Sequence, residues 1–550
     1  MKLKQYLVLG VLAFQTNFFL AEKANASFTA IYQQTTPPGD STSKAPEDWF
    51  HLDSTADSFR GVSTNKAYEL LGNTPSRTIV VGVIDSGVDI DHEDLKSVIW
   101  TNEKEIAGNG VDDDKNGYVD DTHGWNFIGG KDGKNVNEDT YELTREYVRL
   151  KKKFEGMKKI RRKDKEEHKY YEEVKQEYEK KATELKDQYN DFKKFAEIYK
   201  IANNLIKTQL GKEGEITAED LENINATDEM VKQSKAVLAY ALENNITEKY
   251  LEDAEEYFNK GLKFGYNTEF DPRPIVGDNY QNLEEKGYGN SDVKGPDASH
   301  GTHVSGIIAA DRGNNLGIEG IADNVKIMPI RAVPNGDERD KDIANAIYYA
   351  VDNGAQVINM SFGKDYSPNK EAVDKAVKYA ESKGVLLIHA AGNDGENLDK
   401  ERNFPSKKLQ KSNGVAANWL EIGASSWGDN TNFVGNFSNY GKQSVDLFAP
   451  GVDIYSTKPD QKYENENGTS MAAPVVSGVA ALLMSHFPDL SADQIKDIIV
   501  KSVVKYPDAK VNKPGGDKGE STSFEELSAT GGIVNALEAV KMAQQMTTQK

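Results

Sequence analysis

The sequence predicts an α/β fold: a mostly parallel central sheet layered between helices, interrupted by an inserted α-helical, coiled-coil-like segment. Three observations predict it. Short apolar, β-branched runs recur in "RTIVVGVIDSG", "VKIMPIRAV", "AQVINMSFG", "GVLLIHAAGN" and "WLEIGASS", and such runs read as strands buried on both faces. Helical patterns at 342–352 and 370–382 lie between them, and strands alternating with helices imply parallel crossovers. A third texture breaks the alternation. From Tyr171 apolar residues fall at 174, 178, 182, 185, 189, 192, 195, 199, 202 and 206, the three-and-four spacing of one long amphipathic seam.

At the N-terminus Lys2 and Lys4 precede an apolar run from Tyr6 to Leu20, and Ala24-Asn25-Ala26 follows. This pattern reads as a secretory signal peptide over 1–26. Residues 27–76 form a turn-rich extension, expected to be loosely ordered around "QTTPPGDSTSKAPEDW". The α/β domain is assigned to 77–135 and 266–545, and the helical insertion to 136–265. Within the insertion, further helices are expected at 218–224, 228–242 and 248–262, with Thr217, Thr227 and Thr247 as N-caps. Residues 151–165 carry nine Lys and Arg against Glu155 and Asp164. Such a run is a solvated face or a lure for an anionic partner; the insertion's partner is not identified by the sequence.

Composition excludes several classes. A net charge of −21 argues against nucleic-acid binding as a whole-chain property. The absence of cysteine excludes disulfides, thiolate catalysis and cysteine-ligated metals. Beyond the signal sequence no stretch is expected to approach the roughly 18 apolar residues that span a bilayer, so no transmembrane segment is expected.

The chemistry begins at "NGTSMAAPVVSGVAALLMSHF", Asn467 to Phe487, which contains no acidic residue, lysine or arginine in a chain that is 28% charged. Ser470 stands at the mouth of this apolar helix. A serine hydroxyl is a poor nucleophile unless a base takes its proton and a third group fixes that base. Two other apolar stretches end in such partners: Asp85 closes "VVGVID", where an unpaired carboxylate is costly, and His300 enters the helix of "DASHGTHVSGIIAA". Each residue alone reads equally well as a cap or a satisfied core group. Together they point to nucleophilic catalysis. Of the two histidines in "HGTH", His300 sits at the loop-to-helix junction, whereas His303 begins the apolar run and is expected to be packed.

These stretches, "VIDSGVDIDH", "HGTHVSG" and "GTSMAAPVVSG", together with "HAAGND", resemble those of the subtilisin-like serine peptidases, the subtilases. The resemblance covers about 77–135, 266–505 and the terminal "GGIVNALEAVKMA", and omits the insertion. It implies a three-layer subtilisin-like fold, with Ser470 as nucleophile, His300 as general base, Asp85 as its orienting acid and Asn393 as an oxyanion donor. It implies that "NMSFGK" pairs with extended polypeptide substrates through Ser361, Phe362 and Gly363, since main-chain pairing is blind to sequence. Relatives often have a small residue where Lys364 stands, so this lysine is expected to alter or narrow the specificity pocket. Two departures concern regulation. His300 lies 215 positions beyond Asp85, a gap the insertion fills, and the N-terminal extension is short for an inhibitory prodomain.

A separate loop, "NGVDDDKNGYVDD", alternates Asp112, Asp114 and Asn116, turns at Gly117, and continues through the Tyr118 carbonyl to Asp120 and Asp121. This is the first half of a calcium loop. His123 replaces the closing glutamate of a helix-loop-helix site, so a shorter loop holding structural calcium is expected. The resemblance adds a second site at Asp94 and Asn314. The reading is a secreted, calcium-stabilised serine endopeptidase. Its rivals are an idle scaffold that binds a partner through the helical insertion, and an esterase using the same triad.

Overall fold

A computed structural model describes residues 45–411, 414–429, 431–517 and 519–548. The expected signal peptide and residues 27–44 of the extension lie outside the described residues. The five apolar runs become strands of one nine-stranded sheet. Its strands include β1 (Ile79–Asp85), β2 (Trp125–Asn126), β3 (Val325–Arg331), β4 (Val357–Met360), β5 (Leu386–Ala390), β6 (Trp419–Ser425) and β7 (Leu447–Pro450). They stand in the order β7-β6-β5-β4-β1-β3-β2, every pair parallel. Gly532–Ile533 extends the sheet beyond β7 and the antiparallel Val504–Lys505 closes that edge.

This order puts β1, β4 and β5 side by side, so their carboxyl ends open on one crevice, the usual ligand position in such sheets. Two apolar helices pack together across it, Ser299–Ala309 and Thr469–His486. In the second, every residue is buried except Ser470. By length and composition this helix is apolar enough to cross a membrane, contrary to the sequence expectation. Its burial beneath β4–β7 accounts for the apolar run instead.

The extension is not loose from residue 45 onward. Trp49 and Phe50 are wholly buried, the indole N–H donating to the Asp453 carbonyl at 3.1 Å and the Val62 N–H to that of Phe50 at 2.8 Å. The Thr64–Leu71 helix packs on the terminal Ala536–Thr548 helix. Burying two aromatic side chains outweighs the turn-forming sequence around them.

Residues 143–270 form a separate compact unit, the remaining described residues another. The apolar seam is one uninterrupted 46-residue helix, Lys165–Leu210, ended by Gly211 at φ 64°. Its buried residues, among them Val174, Leu185, Tyr199 and Ile206, meet shorter helices, Glu229–Glu243 and Glu248–Lys260. The seam therefore closes within its own unit. Thr217 and Thr247 cap as expected, accepting from Asp220 N at 3.2 Å and Tyr250 N at 3.0 Å. Thr227 does not cap. The helix starts one residue later, and the Asp228 carboxylate accepts from Met230 N at 2.8 Å, an arrangement the helix dipole favours over a neutral hydroxyl.

Candidate active site

Asp85 ends β1 and is 2% exposed. Its Oδ1 accepts from the Ser86 N–H at 2.8 Å and pairs with His300 Nδ1 at 2.7 Å. Gly301 makes this approach possible: a Cβ there would lie 2.2 Å from the Gly87 carbonyl and 3.0 Å from Asp85 Cβ. Burial alone would lower the His300 imidazole, but the Asp85 carboxylate outweighs it and raises the group to about 9. The ring remains 36% exposed, so Nε2 is left for the crevice. His303 is packed as expected. It is fully buried, bonds the Glu464 carbonyl at 3.1 Å, and is driven down to about 4 by burial.

Ser470 begins the second turn-side of the crevice, in the first turn of the Thr469–His486 helix. Four residues on, Pro474 has no N–H to return to the Ser470 carbonyl. The Ser361 hydroxyl donates to that carbonyl instead, at 2.9 Å. Behind it the chain of bonds continues: Asn359 Nδ2 donates to Ser361 Oγ, and Ser477 Oγ to Asn359 Oδ1, each at 2.9 Å. The Ser470 hydroxyl donates to the Ser361 carbonyl at 3.4 Å. No hydrogen bond joins it to His300 among the described residues, and catalytic bonds are often long in the absence of substrate.

Asn393 follows β5. Its Oδ1 accepts from the Thr469 N–H at 2.9 Å and the Thr469 hydroxyl at 3.0 Å, while that hydroxyl accepts from Gly392 N at 3.0 Å. With its oxygen so occupied, the amide turns Nδ2 toward Gly468. A Cβ on Gly468 would lie 3.5 Å from Ser470 N and 3.6 Å from Asn393 Nδ2. The glycine thus leaves open a space flanked by two N–H donors.

Among the described residues, the N–H groups of Phe362 and Gly363 have no hydrogen-bond partner, so the segment after β4 presents a free edge. Ser361 is 4% exposed and bound up with Ser470. The edge closes at Lys364, whose N–H and carbonyl both pair with Phe404, at 2.9 and 2.8 Å. Of the expectation that Lys364 alters or narrows the specificity pocket, the narrowing finds no support in where its side chain lies. Its side chain is buried, and its ammonium meets Glu142 and Asp340; a cation finds lower energy among carboxylates than in an apolar slot. Asn403 was not foreseen. Its amide donates to the Ala391 carbonyl at 2.9 Å, and its oxygen would stand 2.4 Å from a Cβ on Gly363.

The acidic loop divides its carboxylates between two tasks. Asp112 accepts from the N–H groups of Asn116 and Gly117, and Asp120 from those of Asn109 and Gly110; both shape the turn. Asn116 Oδ1 accepts from Tyr118 N at 2.8 Å, and the Tyr118 ring is packed against Trp125 and Tyr349. Asp114 and Asp121 also accept from the Asn102 and Asn116 amides, and Asp121 from the Tyr349 hydroxyl, but one oxygen of each gathers with one of Glu105, all within 4.8 Å. Among the described residues Glu105 Oε2 is buried with no partner, and burial lifts the Asp121 carboxyl to about 6. An unpaired buried oxygen beside two carboxylates fits a divalent cation that takes oxygen donors. Glu105 escaped the sequence reading because it lies seven residues before Asp112, outside the alternating motif. At the second expected site, Asp94 and Asn314 meet at 2.7 Å, but through the Asn314 amide N–H. Ile318 N and the Tyr463 hydroxyl occupy the other Asp94 oxygen, and Leu316 N the Asn314 oxygen. These oxygens have donors, and no orphaned oxygen like Glu105 Oε2 accompanies them among the described residues, so we derive no cation there.

The Subtilase family profile matches residues 76–524. The chain is 44% identical over 188 residues to a thermophilic serine proteinase of Bacillus sp. (strain AK1), covering 34% of this chain and 43% of that protein. It is 37% identical over 213 residues to subtilisin DY of Bacillus licheniformis, covering 38% and 72%. With thermitase of Thermoactinomyces vulgaris it shares 39% over 187 residues, covering 34% and 61%. The matched part thus spans less than two thirds of the first and third of these relatives. A parallel sheet with these residues at its carboxyl edge, and a family match running across both sides of the helical insertion, place this chain in the subtilase family.

Proposed function

We propose that the protein is a serine endopeptidase that hydrolyses polypeptides through an acyl-enzyme at Ser470. The observation that carries the reading is the 2.7 Å pairing of His300 Nδ1 with the buried Asp85 carboxylate, at the crevice that Ser470 alone faces from its otherwise buried helix. Ser470 Oγ attacks the scissile carbonyl carbon, and its proton passes to His300 Nε2. Asp85 fixes the ring tautomer and stabilises the imidazolium that forms. The carbonyl oxygen becomes an oxyanion in the space beside Gly468, where Ser470 N–H and Asn393 Nδ2 donate to it; one such donor is worth about 3 kcal/mol. Collapse breaks the C–N bond, and His300 gives its proton to the leaving amine. Water then cleaves the acyl-enzyme with the same base. Substrate main chain pairs along Phe362 and Gly363.

Glu105, Asp114 and Asp121 would hold a structural calcium ion, which would neutralise carboxylates that otherwise repel. The N-terminal sequence supports export of the chain, and work on extracellular or envelope polypeptides. A fluorophosphonate probe should label the wild type, and Ser470→Ala should abolish both labelling and casein cleavage. Unlabelled wild-type protein would remove the reading in favour of an idle scaffold; labelling with ester turnover but no casein cleavage would favour an esterase.

A further inference from the structure

The residue that ends the free edge is held at every polar group. Lys364 is 5% exposed. Its ammonium donates to Glu142 Oε2 and the Glu338 carbonyl and pairs with Asp340 Oδ1, each at 2.8 Å. Its backbone is fixed to Phe404 in both directions. Immediately before it, Phe362 and Gly363 have open N–H groups among the described residues.

The partners come from distant parts of the chain. Glu338 and Asp340 belong to the turn that starts the Asp340–Asp352 helix, and Glu142 begins the Glu142–Phe154 helix that leads into the inserted sequence. The same turn also fixes the point of return. Arg339 holds Asp139 through two bonds, at 2.7 and 2.9 Å, and Asp271 at 3.2 Å. The chain before the insertion and the edge after β4 are therefore tied to one short turn by buried ion pairs, and the chain after it by a pair to Asp271, whose side chain is exposed.

Buried ion pairs are a weak source of net stability compared with apolar packing of the same volume, while the loss of one member leaves an uncompensated charge. What they supply well is a single geometry. We propose that Lys364 is a positioning residue for extended substrates: the clamp fixes the edge so that Phe362 and Gly363 meet a polypeptide main chain in register. This inference rests on the peptidase reading above.

The test compares substrates of different length on the full chain, with active sites counted by fluorophosphonate labelling. A blocked single-residue ester is set against peptides bearing the same residue at the scissile bond and one to four more on the acyl side. In the wild type kcat/KM should climb with each added residue. Lys364→Met and Glu142→Gln should remove that climb, with about a tenfold loss or more on the longest peptide, mostly in KM, and under about twofold change on the ester; Lys364→Arg should restore part of it. Equal losses on ester and longest peptide, or no loss on either, would overturn the proposal. If Lys364→Met fails to fold, Glu142→Gln, which removes one partner's charge, carries the same comparison. A wild type that takes no label at all would sink the peptidase reading together with the clamp, whereas a labelled wild type without the length effect would sink the clamp alone.

Discussion

The hydroxyl of Ser361 donates to the carbonyl oxygen of Ser470 at 2.9 Å, replacing the helical bond that Pro474 has no N–H to make. A proline inside the helix that bears the serine is thus compensated by a side chain from the segment that follows β4. The edge offered to substrate and the helix offered to chemistry are joined at this bond.

Ser361→Ala should leave the Ser470 carbonyl without a partner in a buried setting, at a cost of about 1–3 kcal/mol in unfolding free energy. Pro474→Ala restores a helical N–H, so the double variant should recover part of that loss. Urea unfolding of the four proteins measures the coupling. Strictly additive effects would show that Ser361 and Pro474 do not serve the same carbonyl.

His300 is raised by Asp85 to about 9 from an ordinary 6.5. The base form grows as pH rises, so kcat/KM should increase with a midpoint well above 6.5. Stability runs the other way: the protonated pair stabilises the fold fully below 6.5, and that contribution is lost as pH climbs through about 9. Asp85→Asn should bring the midpoint down and reduce kcat on the order of 10⁴-fold by freeing the wrong tautomer. A pH–rate profile on a small ester distinguishes these; an unchanged midpoint in the variant would refute the assignment.

Gly468→Ala should be inert toward folding and severe toward catalysis. Its Cβ would make ordinary contacts, 3.5 Å to Ser470 N and 3.6 Å to Asn393 Nδ2, while occupying the place assigned to the oxyanion. A thermal melt within a degree or two of wild type, with kcat down by about 10²-fold or more, is the expected pair of results.

Chelation should lower the melting temperature in proportion to calcium removed, and Glu105→Gln should weaken rebinding more than Asp112→Asn. Glu105 gathers with Asp114 and Asp121, whereas Asp112 serves backbone N–H groups. Calorimetric titration with calcium separates the two variants. No heat of binding in the wild type would empty the loop.

Much of the site could be read from neighbours in the chain. Asp85 and His300 stand where apolar runs meet loops, and Gly301 and Gly468 precede or follow the residues they make room for. Glu105, Thr469 and Asn403 could not be read this way. Their importance lies in partners, respectively Asp114 and Asp121, Asn393, and the Ala391 carbonyl, which sequence spacing does not reveal. Thr227 lost its capping role to the adjacent Asp228 by a single residue, within the ordinary imprecision of helix ends.

Periodicity and composition by themselves determined the strands, the long helix and the chemical identities gathered at the sheet's edge, because burial imposes a repeat that a linear text records. Only the tertiary structure decided that Lys364 turns into a carboxylate cluster, that Trp49 and Phe50 belong to the core, and that the Asn393 oxygen is taken by Thr469. Those outcomes depend on which distant groups arrive within about 3 Å, and hydrogen bonds and ion pairs act only at that range.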